Sequence, residues 1–122
     1  MVSICISVVS THQNELFKDL LDDLVGISDR FEVQVILRHN LPEPSIGVFE
    51  GLELREVWND ARAGFAANHN ANFSLCQSDV FMVVNPDIRI ENVEGLLLLA
   101  EAACAHGTVV GPQIINLSLI HI

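Results

Sequence analysis

Short apolar runs alternate along this chain with segments whose apolar residues recur at helical spacing. Residues 4–9 form a β-branched apolar run, which is typical of a buried strand. After it, six apolar residues recur every three or four positions and predict an amphipathic helix: Leu16, Phe17, Leu20, Leu21, Leu24 and Val25. Ser10 and Thr11 offer N-cap side chains before this helix, and Gly26 is the residue type expected just after one.

The rest of the chain repeats this order. Four more strands are predicted, at residues 31–37, 54–58, 79–84 and 108–110. Two more helices are predicted, one from Gly64-Phe65 to about Cys76 and one from Val93 to Ala105, which His106-Gly107 ends. Because strand and helix alternate throughout, the sequence predicts an α/β fold, a three-layer α/β/α sandwich around a mainly parallel sheet.

The length of 122 residues leaves room for a single domain. With 50% hydrophobic residues and 18% charged ones, the composition excludes a disordered chain. The apolar run at residues 96–100 is far shorter than the roughly 20 residues of a membrane span. The first basic residue is Lys18, so the chain does not start like a signal peptide and a cytoplasmic location is expected.

The last residues, 114–122, are apolar and complete no recognisable unit. We therefore expect residues 1–122 to be a single but partial domain that ends within a larger fold. An unpaired strand in this segment would be an edge through which two copies could pair, giving a homo-oligomer.

The charge of the chain limits the classes of molecule that it can bind. Its net charge is −10, with only six lysines and arginines, so it would repel the phosphates of a nucleic acid. The same charge would oppose any phosphate-bearing ligand unless a metal ion or local dipoles compensate for it. Three cysteines and five histidines show no zinc, redox or metal-ligand spacing.

Three polar segments follow predicted strands: Ser10-Thr11-His12, Arg38-His39-Asn40 and Asn85-Pro86-Asp87. In open α/β sheets, ligands bind beyond the carboxyl ends of the strands. A carboxylate in this place, Asp87, can hold Mg²⁺ or Mn²⁺, which would neutralise a diphosphate and assist its departure as a Lewis acid. Taken alone, however, Asn-Pro-Asp is also ordinary turn chemistry.

Two longer stretches make the ligand interpretation more specific. Residues 62–70 (Arg-Ala-Gly-Phe-Ala-Ala-Asn-His-Asn) and residues 79–87 (Asp-Val-Phe-Met-Val-Val-Asn-Pro-Asp) resemble the central signature of family 2 glycosyltransferases, especially rhamnosyltransferase-like members. Residues 8–13 also resemble the first strand and donor-base loop of that family. The resemblance covers about residues 4–113. It implies a Rossmann-like GT-A nucleotide-diphospho-sugar transferase fold, here truncated.

The resemblance implies eight donor-binding residues: Ser10, Thr11, Asn40, Arg62, Gly64, Asn70, Asn85 and Asp87. The residues after the first two strands would lie against or near the nucleotide base. Arg62 would reach a phosphate, and Gly64 would let the backbone approach the ligand at a helix start that favours anions. Asn85 and Asp87 take the place of the Asp-x-Asp motif, with Asp87 as the ligand of Mg²⁺ or Mn²⁺.

Other interpretations of these residues stay open. Residues 38–40 depart from the Asp-Asn-x-Ser pattern that is common in the family. Asn70 could cap or brace a loop, and Arg62 could be a solvated surface charge. The aromatic side chains of Trp58, Phe65 and Phe73 are expected to be core residues rather than ligand-stacking groups.

The function implied is inverting transfer from a nucleotide-diphosphate sugar, dTDP-rhamnose by the style of the motif, to a bacterial polysaccharide or lipid-linked acceptor. A lipid-linked acceptor would place the enzyme peripherally at the inner membrane. In the family, the general base and much of the acceptor pocket follow the fifth strand, so no catalytic residue is predicted in this chain.

Two other classes of protein are alternatives to this interpretation. One is a non-catalytic, truncated α/β domain for nucleotide binding or assembly, which fits the neutral Asn85 and the altered residues 38–40. The other is a receiver-like signalling domain. It would need an acidic pair after the first strand and a phosphoacceptor aspartate after the third, and the sequence has neither.

Overall fold

The computed structural model describes residues 2–107, 109 and 111. In this part of the chain there are four strands, namely β1 (Ser3–Ser10), β2 (Glu32–His39), β3 (Glu53–Trp58) and β4 (Val80–Val83). There are three helices, namely α1 (Asn14–Ile27), α2 (Phe65–Phe73) and α3 (Val93–His106). The predicted fifth strand, apart from Val109, lies outside the described residues. So do the apolar segment 114–122 and the strand edge expected there.

The four strands form one parallel sheet in the order β3-β2-β1-β4. At its end β1 pairs Ser10 with His39 of β2, and β2 pairs His39 with Trp58 of β3. All four carboxyl ends therefore lie along one edge of the sheet. The chain first builds outward from β1 through β2 to β3 and then returns to place β4 on the other side of β1, so the strand order reverses there. The predicted α/β fold with a parallel sheet is confirmed.

One face of the sheet is apolar and packs against α1 and α3. Alternate residues of β1 (Ile4, Ile6 and Val8) point to this face because side chains of a strand alternate in direction. They join a core that includes Phe17, Leu20, Leu21 and Leu24 of α1 and Leu96 and Ala100 of α3. Burying one such large side chain contributes about 1.5–3 kcal/mol, so this face supplies most of the hydrophobic stabilisation.

The other face of the sheet packs against α2 and is more polar, although it also buries Cys5 and Ile36. Here Ser7 of β1 is fully buried, and its hydroxyl contacts His69 and Asn72 of α2. The buried residues of α2 are Asn68, His69 and Asn72, with no apolar residue among them. With α1 and α3 on one face and α2 on the other, the predicted three layers are confirmed.

The ends of α1 differ from the prediction. The helix begins at Asn14 with Gln13 at the N-cap position, and none of the described side chains caps it. The predicted cap Ser10 instead accepts the Gln13 N–H at 3.0 Å, which shapes the turn before the helix. Gly26 lies inside the last turn and does not end the helix, because the buried Ile27 extends it by one residue. At α3 the prediction is confirmed, since Gly107 ends the helix with a left-handed φ of 58°.

The prediction for the large aromatic residues is wrong. Phe65, Phe73 and Trp58 are 65%, 60% and 44% exposed, because each lies outside the apolar core and packs against a single ring. Phe65 contacts His69, Phe73 contacts Phe81, and Trp58 stacks on His39. In addition, α2 ends at Phe73 rather than Cys76.

Across the described residues, none of the helices combines the length and the apolar character needed to cross a membrane.

Candidate functional site

A cleft of about 470 Å³ lies at the carboxyl edge of the sheet. The segments that follow the four strands all contribute residues to its lining. Its lining also includes residues of the first two turns of α2 and Val9 near the end of β1. The residues involved are Val9, Thr11, Gln13, Asn40, Arg62, Ala63, Gly64, Phe65, Asn68, His69, Asn85, Pro86 and Asp87. Because the strand order reverses at β1, this is where an open α/β sheet leaves a crevice for a ligand.

Six of the eight predicted donor-binding residues line this one cleft, namely Thr11, Asn40, Arg62, Gly64, Asn85 and Asp87. Ser10 is fully buried beneath it, with its hydroxyl accepting the Gln13 N–H. Asn70 is exposed on α2 and is not part of the lining. The structure therefore brings together residues that are up to seventy-six positions apart (Thr11 to Asp87) but leaves Asn70 outside the group.

The loop after β1 is held in shape by its own side chains. Both the backbone N–H and the hydroxyl of Thr11 donate to the side-chain oxygen of Gln13, at 3.3 and 3.1 Å. Between them His12 has a φ of +64°, a left-handed conformation that costs an L residue about 1–2 kcal/mol. These contacts turn Thr11 and Gln13 toward the cleft while His12 is exposed to solvent.

Asn40 joins the loop after β2 to the start of α2. Its side-chain oxygen accepts the Ala63 N–H at 2.8 Å, and its amide nitrogen donates to the Ala63 carbonyl at 3.0 Å. The amide therefore pairs with both backbone groups of one residue, as a neighbouring strand would. Asn40 thereby positions the segment that carries Arg62 and Gly64, and a direct contact of Asn40 with a nucleotide base stays a prediction.

Gly64 is the N-cap residue of α2, in an extended conformation with φ −77° and ψ 169°. No side chain in the described ranges caps this end of the helix, so the N–H groups of its first turn face the cleft without helical partners. A Cβ at Gly64 would meet no protein atom within 4 Å. The fold itself thus allows larger residues at this position, and the space beside the backbone belongs to the cleft. Arg62, two residues earlier, is exposed and forms no ion pair with any described residue.

Asn85, Pro86 and Asp87 form a turn that begins two residues after the end of β4, and the Ile88 N–H donates to the Asn85 carbonyl at 3.3 Å. Pro86 is buried, whereas the side chains on either side of it are exposed in the cleft. One carboxylate and one amide oxygen fit Mg²⁺, which proteins often hold through one or two carboxylates plus the phosphates of a substrate. Within the described ranges, no three His, Cys, Asp or Glu side chains come together to form a closed metal site.

Behind the cleft, the polar face of the sheet holds a hydrogen-bonded chain of side chains, which we call the polar network: Ser7, Arg38, Asn40, Asn59, Asn68, His69 and Asn72. The Arg38 guanidinium donates to Asn72 at 2.8 Å and to Asn59 at 2.9 Å. Asn59 in turn donates to Asn40 at 3.0 Å and to Asn68 at 2.7 Å. Burial lowers the pKa of Arg38, whose partners in this network are all neutral amides.

His39, the last residue of β2, is not part of the polar network and has a separate set of contacts. Its ring is fully buried, with Nδ1 2.6 Å from a Glu43 oxygen and Nε2 2.8 Å from a Glu56 oxygen. It also stacks on Trp58 at a centroid distance of 4.8 Å. The three residues at positions 38–40 that depart from the family pattern are therefore all engaged by this chain's own side chains.

Seven further lining residues were not predicted as donor-binding from the sequence, namely Val9, Gln13, Ala63, Phe65, Asn68, His69 and Pro86. One signal was available for α2, because residues 65, 68, 69 and 72 recur at helical spacing and so share one face of the helix. Three of these four residues, Asn68, His69 and Asn72, are polar, whereas a helix face that packs on a sheet is usually apolar. No comparable signal marks Gln13, whose role depends on the turn at His12.

No model of a known protein family matches this sequence, and no curated protein matches it. Among solved structures, the fold is similar to that of S. aureus TarS 1-349, with a TM-score of 0.69 and 16% sequence identity. The match covers 93% of this chain and 38% of that chain, so this chain spans well under half the length of the TarS structure. The similarity establishes an α/β fold of the GT-A type.

Proposed function

We propose that this chain is the donor-binding part of a glycosyltransferase, which binds a nucleotide-diphosphate sugar together with Mg²⁺ or Mn²⁺ at Asp87. The observation that carries this proposal is the convergence of six predicted donor-binding residues on one cleft at the carboxyl edge of the sheet. These residues follow all four strands, whose carboxyl ends the parallel topology brings to one edge of the sheet.

The chemistry of the cleft suits a diphosphate better than an uncharged ligand. Within the described part of the chain, the Arg62 guanidinium forms no ion pair and the first N–H groups of α2 have no side-chain cap, so both favour an anion, although the whole chain carries a net charge of −10. Asp87 and Asn85 offer oxygen ligands to a cation at the same site. When bound, such a cation would neutralise the diphosphate and act as a Lewis acid for its departure.

The fold supports the same assignment. TarS is a family 2 glycosyltransferase with a GT-A fold, and the similarity lies in its N-terminal region. Because this chain corresponds to 38% of that structure, the transfer reaction itself is proposed for a longer assembly. There we propose inverting transfer, with dTDP-rhamnose as a candidate donor and a bacterial polysaccharide or lipid-linked molecule as the acceptor. A position at the inner membrane would follow from a lipid-linked acceptor.

A second candidate function is nucleotide binding without catalysis, in a domain that serves assembly. Two observations favour it. The only carboxylate among the lining residues is Asp87, and residues 38–40 serve internal contacts instead of leaving polar groups free for a base. Under this alternative, a nucleotide would bind in the same cleft but with little dependence on a divalent cation.

Calorimetry separates the two candidates. UDP and dTDP are titrated into the protein with Mn²⁺ and with EDTA, and the titration is repeated with Asp87→Asn and with Asp22→Asn, an exposed control on α1. We expect binding that needs Mn²⁺, is lost in Asp87→Asn and is unchanged in Asp22→Asn. Binding that is equal with EDTA supports the second candidate, and no binding of either nucleotide contradicts both.

A further inference from the structure

The hydrogen bond between Ser7 and His69 connects the buried polar network to the cleft. The Ser7 hydroxyl and Nδ1 of His69 lie 2.8 Å apart, and the two residues are 0% and 6% exposed. His69 also lines the cleft. Its second ring nitrogen, Nε2, has no hydrogen-bond partner among the described residues, and it is not a buried unsatisfied atom. One edge of the ring is thus held by the protein while the other faces the cleft.

Arg38 determines the direction of the hydrogen bonds that lead to His69. A guanidinium only donates, so the Asn72 atom 2.8 Å from Arg38 Nε must be the amide oxygen. The orientation of the Asn72 amide is thereby assigned without ambiguity. Its nitrogen then donates to the Ser7 hydroxyl oxygen at 2.9 Å.

The Ser7 hydroxyl has one hydrogen to donate, and the only acceptor within its reach among the described residues is His69 Nδ1. If the ring donated from Nδ1 instead, the hydroxyl hydrogen would be left unpaired at a fully buried position. Buried donors without partners are rare because desolvation makes them costly. The arrangement that satisfies every donor has Ser7 donating to Nδ1, which places the hydrogen of the neutral ring on Nε2.

We propose that Arg38, Asn72 and Ser7 hold His69 in the Nε2–H tautomer, and that this N–H donates a hydrogen bond to a diphosphate oxygen of the bound nucleotide. The second half of the proposal rests on the proposed function of the cleft. His69 is then a binding residue for the diphosphate, while Arg38, Asn72 and Ser7 are positioning residues that act through it.

Two further observations fit this role. Burial lowers the pKa of His69, so the ring is neutral near pH 7 and its tautomer decides whether Nε2 donates or accepts. Phosphate oxygens only accept hydrogen bonds, so a fixed donor suits them and a fixed acceptor would repel them. Phe65 packs against the ring at a centroid distance of 4.5 Å, which further restricts its orientation.

The tautomer is measured on the free protein by NMR of the imidazole nitrogens in a ¹⁵N-labelled sample. We expect His69 to show an unprotonated Nδ1 and a protonated Nε2, and its signals are assigned by their loss in His69→Gln. In Ser7→Ala the two nitrogens should move toward the averaged shifts of a mixture of tautomers. A protonated Nδ1 in the unaltered protein overturns the proposal, whatever the cleft binds.

The contact with phosphate is tested by calorimetry with UDP or dTDP and Mn²⁺. The amide nitrogen of Gln can donate from nearly the position of Nε2, whereas Leu cannot donate at all. We therefore expect His69→Leu to weaken binding about tenfold, His69→Gln to restore most of the affinity, and His106→Leu, an exposed control, to have no effect.

The outcomes distinguish this inference from the function on which it rests. If the unaltered protein binds nucleotide and His69→Leu binds equally well, the phosphate contact is wrong and the function stands. If the unaltered protein binds neither nucleotide, the proposed function fails and the phosphate contact with it. The NMR measurement reads the tautomer in the unaltered protein without nucleotide and uses His69→Gln only to assign the signals, so it decides the tautomer in either case.

Discussion

The two faces of the sheet bury different kinds of side chain. The face under α1 and α3 is lined by residues such as Ile4, Ile6 and Val8, each at most 1% exposed. The face under α2 carries Ser7, Gln34 and Arg38 beside the buried Cys5 and Ile36, and the helix that covers it buries asparagines and a histidine. One strand thus contributes alternately to a nonspecific hydrophobic core and to a directional hydrogen-bonded network.

Under the proposed function, this difference divides stability and ligand binding between the two faces of the sheet. Hydrophobic burial is strong but carries little directional information, so the apolar face can stabilise the fold without placing any polar atom precisely enough for binding. Hydrogen bonds contribute little net stability, yet each one orients the next. The polar network lies directly behind the cleft and connects to it through His69 and Asn40.

The largest effect is expected from a cavity in the apolar face. Phe17 of α1 is fully buried, and Phe17→Ala should lower the free energy of unfolding by about 3–5 kcal/mol. Its neighbour Leu16 is 52% exposed, so Leu16→Ala should change stability by no more than about 0.5 kcal/mol. Urea unfolding of the two variants measures this contrast. Equal losses would mean that α1 does not pack against the sheet through Phe17.

A smaller loss is expected from the polar face, where Asn72 is fully buried between Arg38 and Ser7. Asn72→Ala removes one hydrogen bond from each of these two partners and should cost about 1–3 kcal/mol in the same measurement. Asn70→Ala, on the exposed side of the helix, is the matched control and should be close to neutral. The control also tests the donor-binding role predicted for Asn70, because nucleotide affinity should be unchanged when that amide is removed.

The dependence of stability on pH reports on the contact between β3 and the loop after β2. Burial alone would raise the pKa of Glu56, but hydrogen bonds from Ser45, Ile46 and His39 together lower it. A lowered folded-state pKa means that Glu56 adds stability above the unfolded value of about 4.3 and loses it as the pH falls below that. The free energy of unfolding should therefore fall less steeply between about pH 5 and pH 3 in Glu56→Gln than in the unaltered protein.

The exposed Glu50 gives the control for this pH series. Glu50→Gln should follow the unaltered protein through the acid range. If Glu56→Gln followed it as well, the hydrogen bonds drawn between Glu56, Ser45 and Ile46 would not persist in solution.

The smallest effect on stability is expected at Gly64, the N-cap residue of α2. Here we expect a change in nucleotide binding without a loss of stability. Serine is a better N-cap than glycine by a few tenths of a kcal/mol, and the fold leaves open space for its side chain, so Gly64→Ser should be neutral or slightly stabilising. The added side chain enters the cleft and should weaken nucleotide binding about tenfold. Gly26→Ser in α1, also at a position with open space, should leave binding unchanged. Full affinity in Gly64→Ser would show that the ligand does not approach this backbone.

Much of the fold could be predicted from the sequence because hydrophobic periodicity marks elements that bury apolar surface. It placed β1, α1 and α3 within a few residues, since their apolar positions repeat with the period of a strand or a helix. It was less successful at the ends of α1 and α2. Those ends depend on local contacts, such as the turn that Ser10 forms with Gln13, which periodicity does not record.

The candidate site was predictable only in part, for a related reason. Motif residues after the strands were found because parallel strands bring their carboxyl ends together, which topology alone determines. The role of Asn40 in bracing Ala63, and that of His69 at the end of the polar network, depend on pairings between distant segments. Such pairings leave no periodic signal in a single sequence.

The central claim, that the polar face and not the apolar face supports a diphosphate site, is tested most directly by NMR titration of the ¹⁵N-labelled protein with UDP or dTDP in the presence of Mg²⁺. We predict that saturable shift changes concentrate at the backbone amides of residues 11–13, 62–69 and 85–88. The resonances of the amides in the middle of α1 and α3 should not shift. Absence of saturable changes at the cleft, or changes centred on α1 and α3, would contradict the claim.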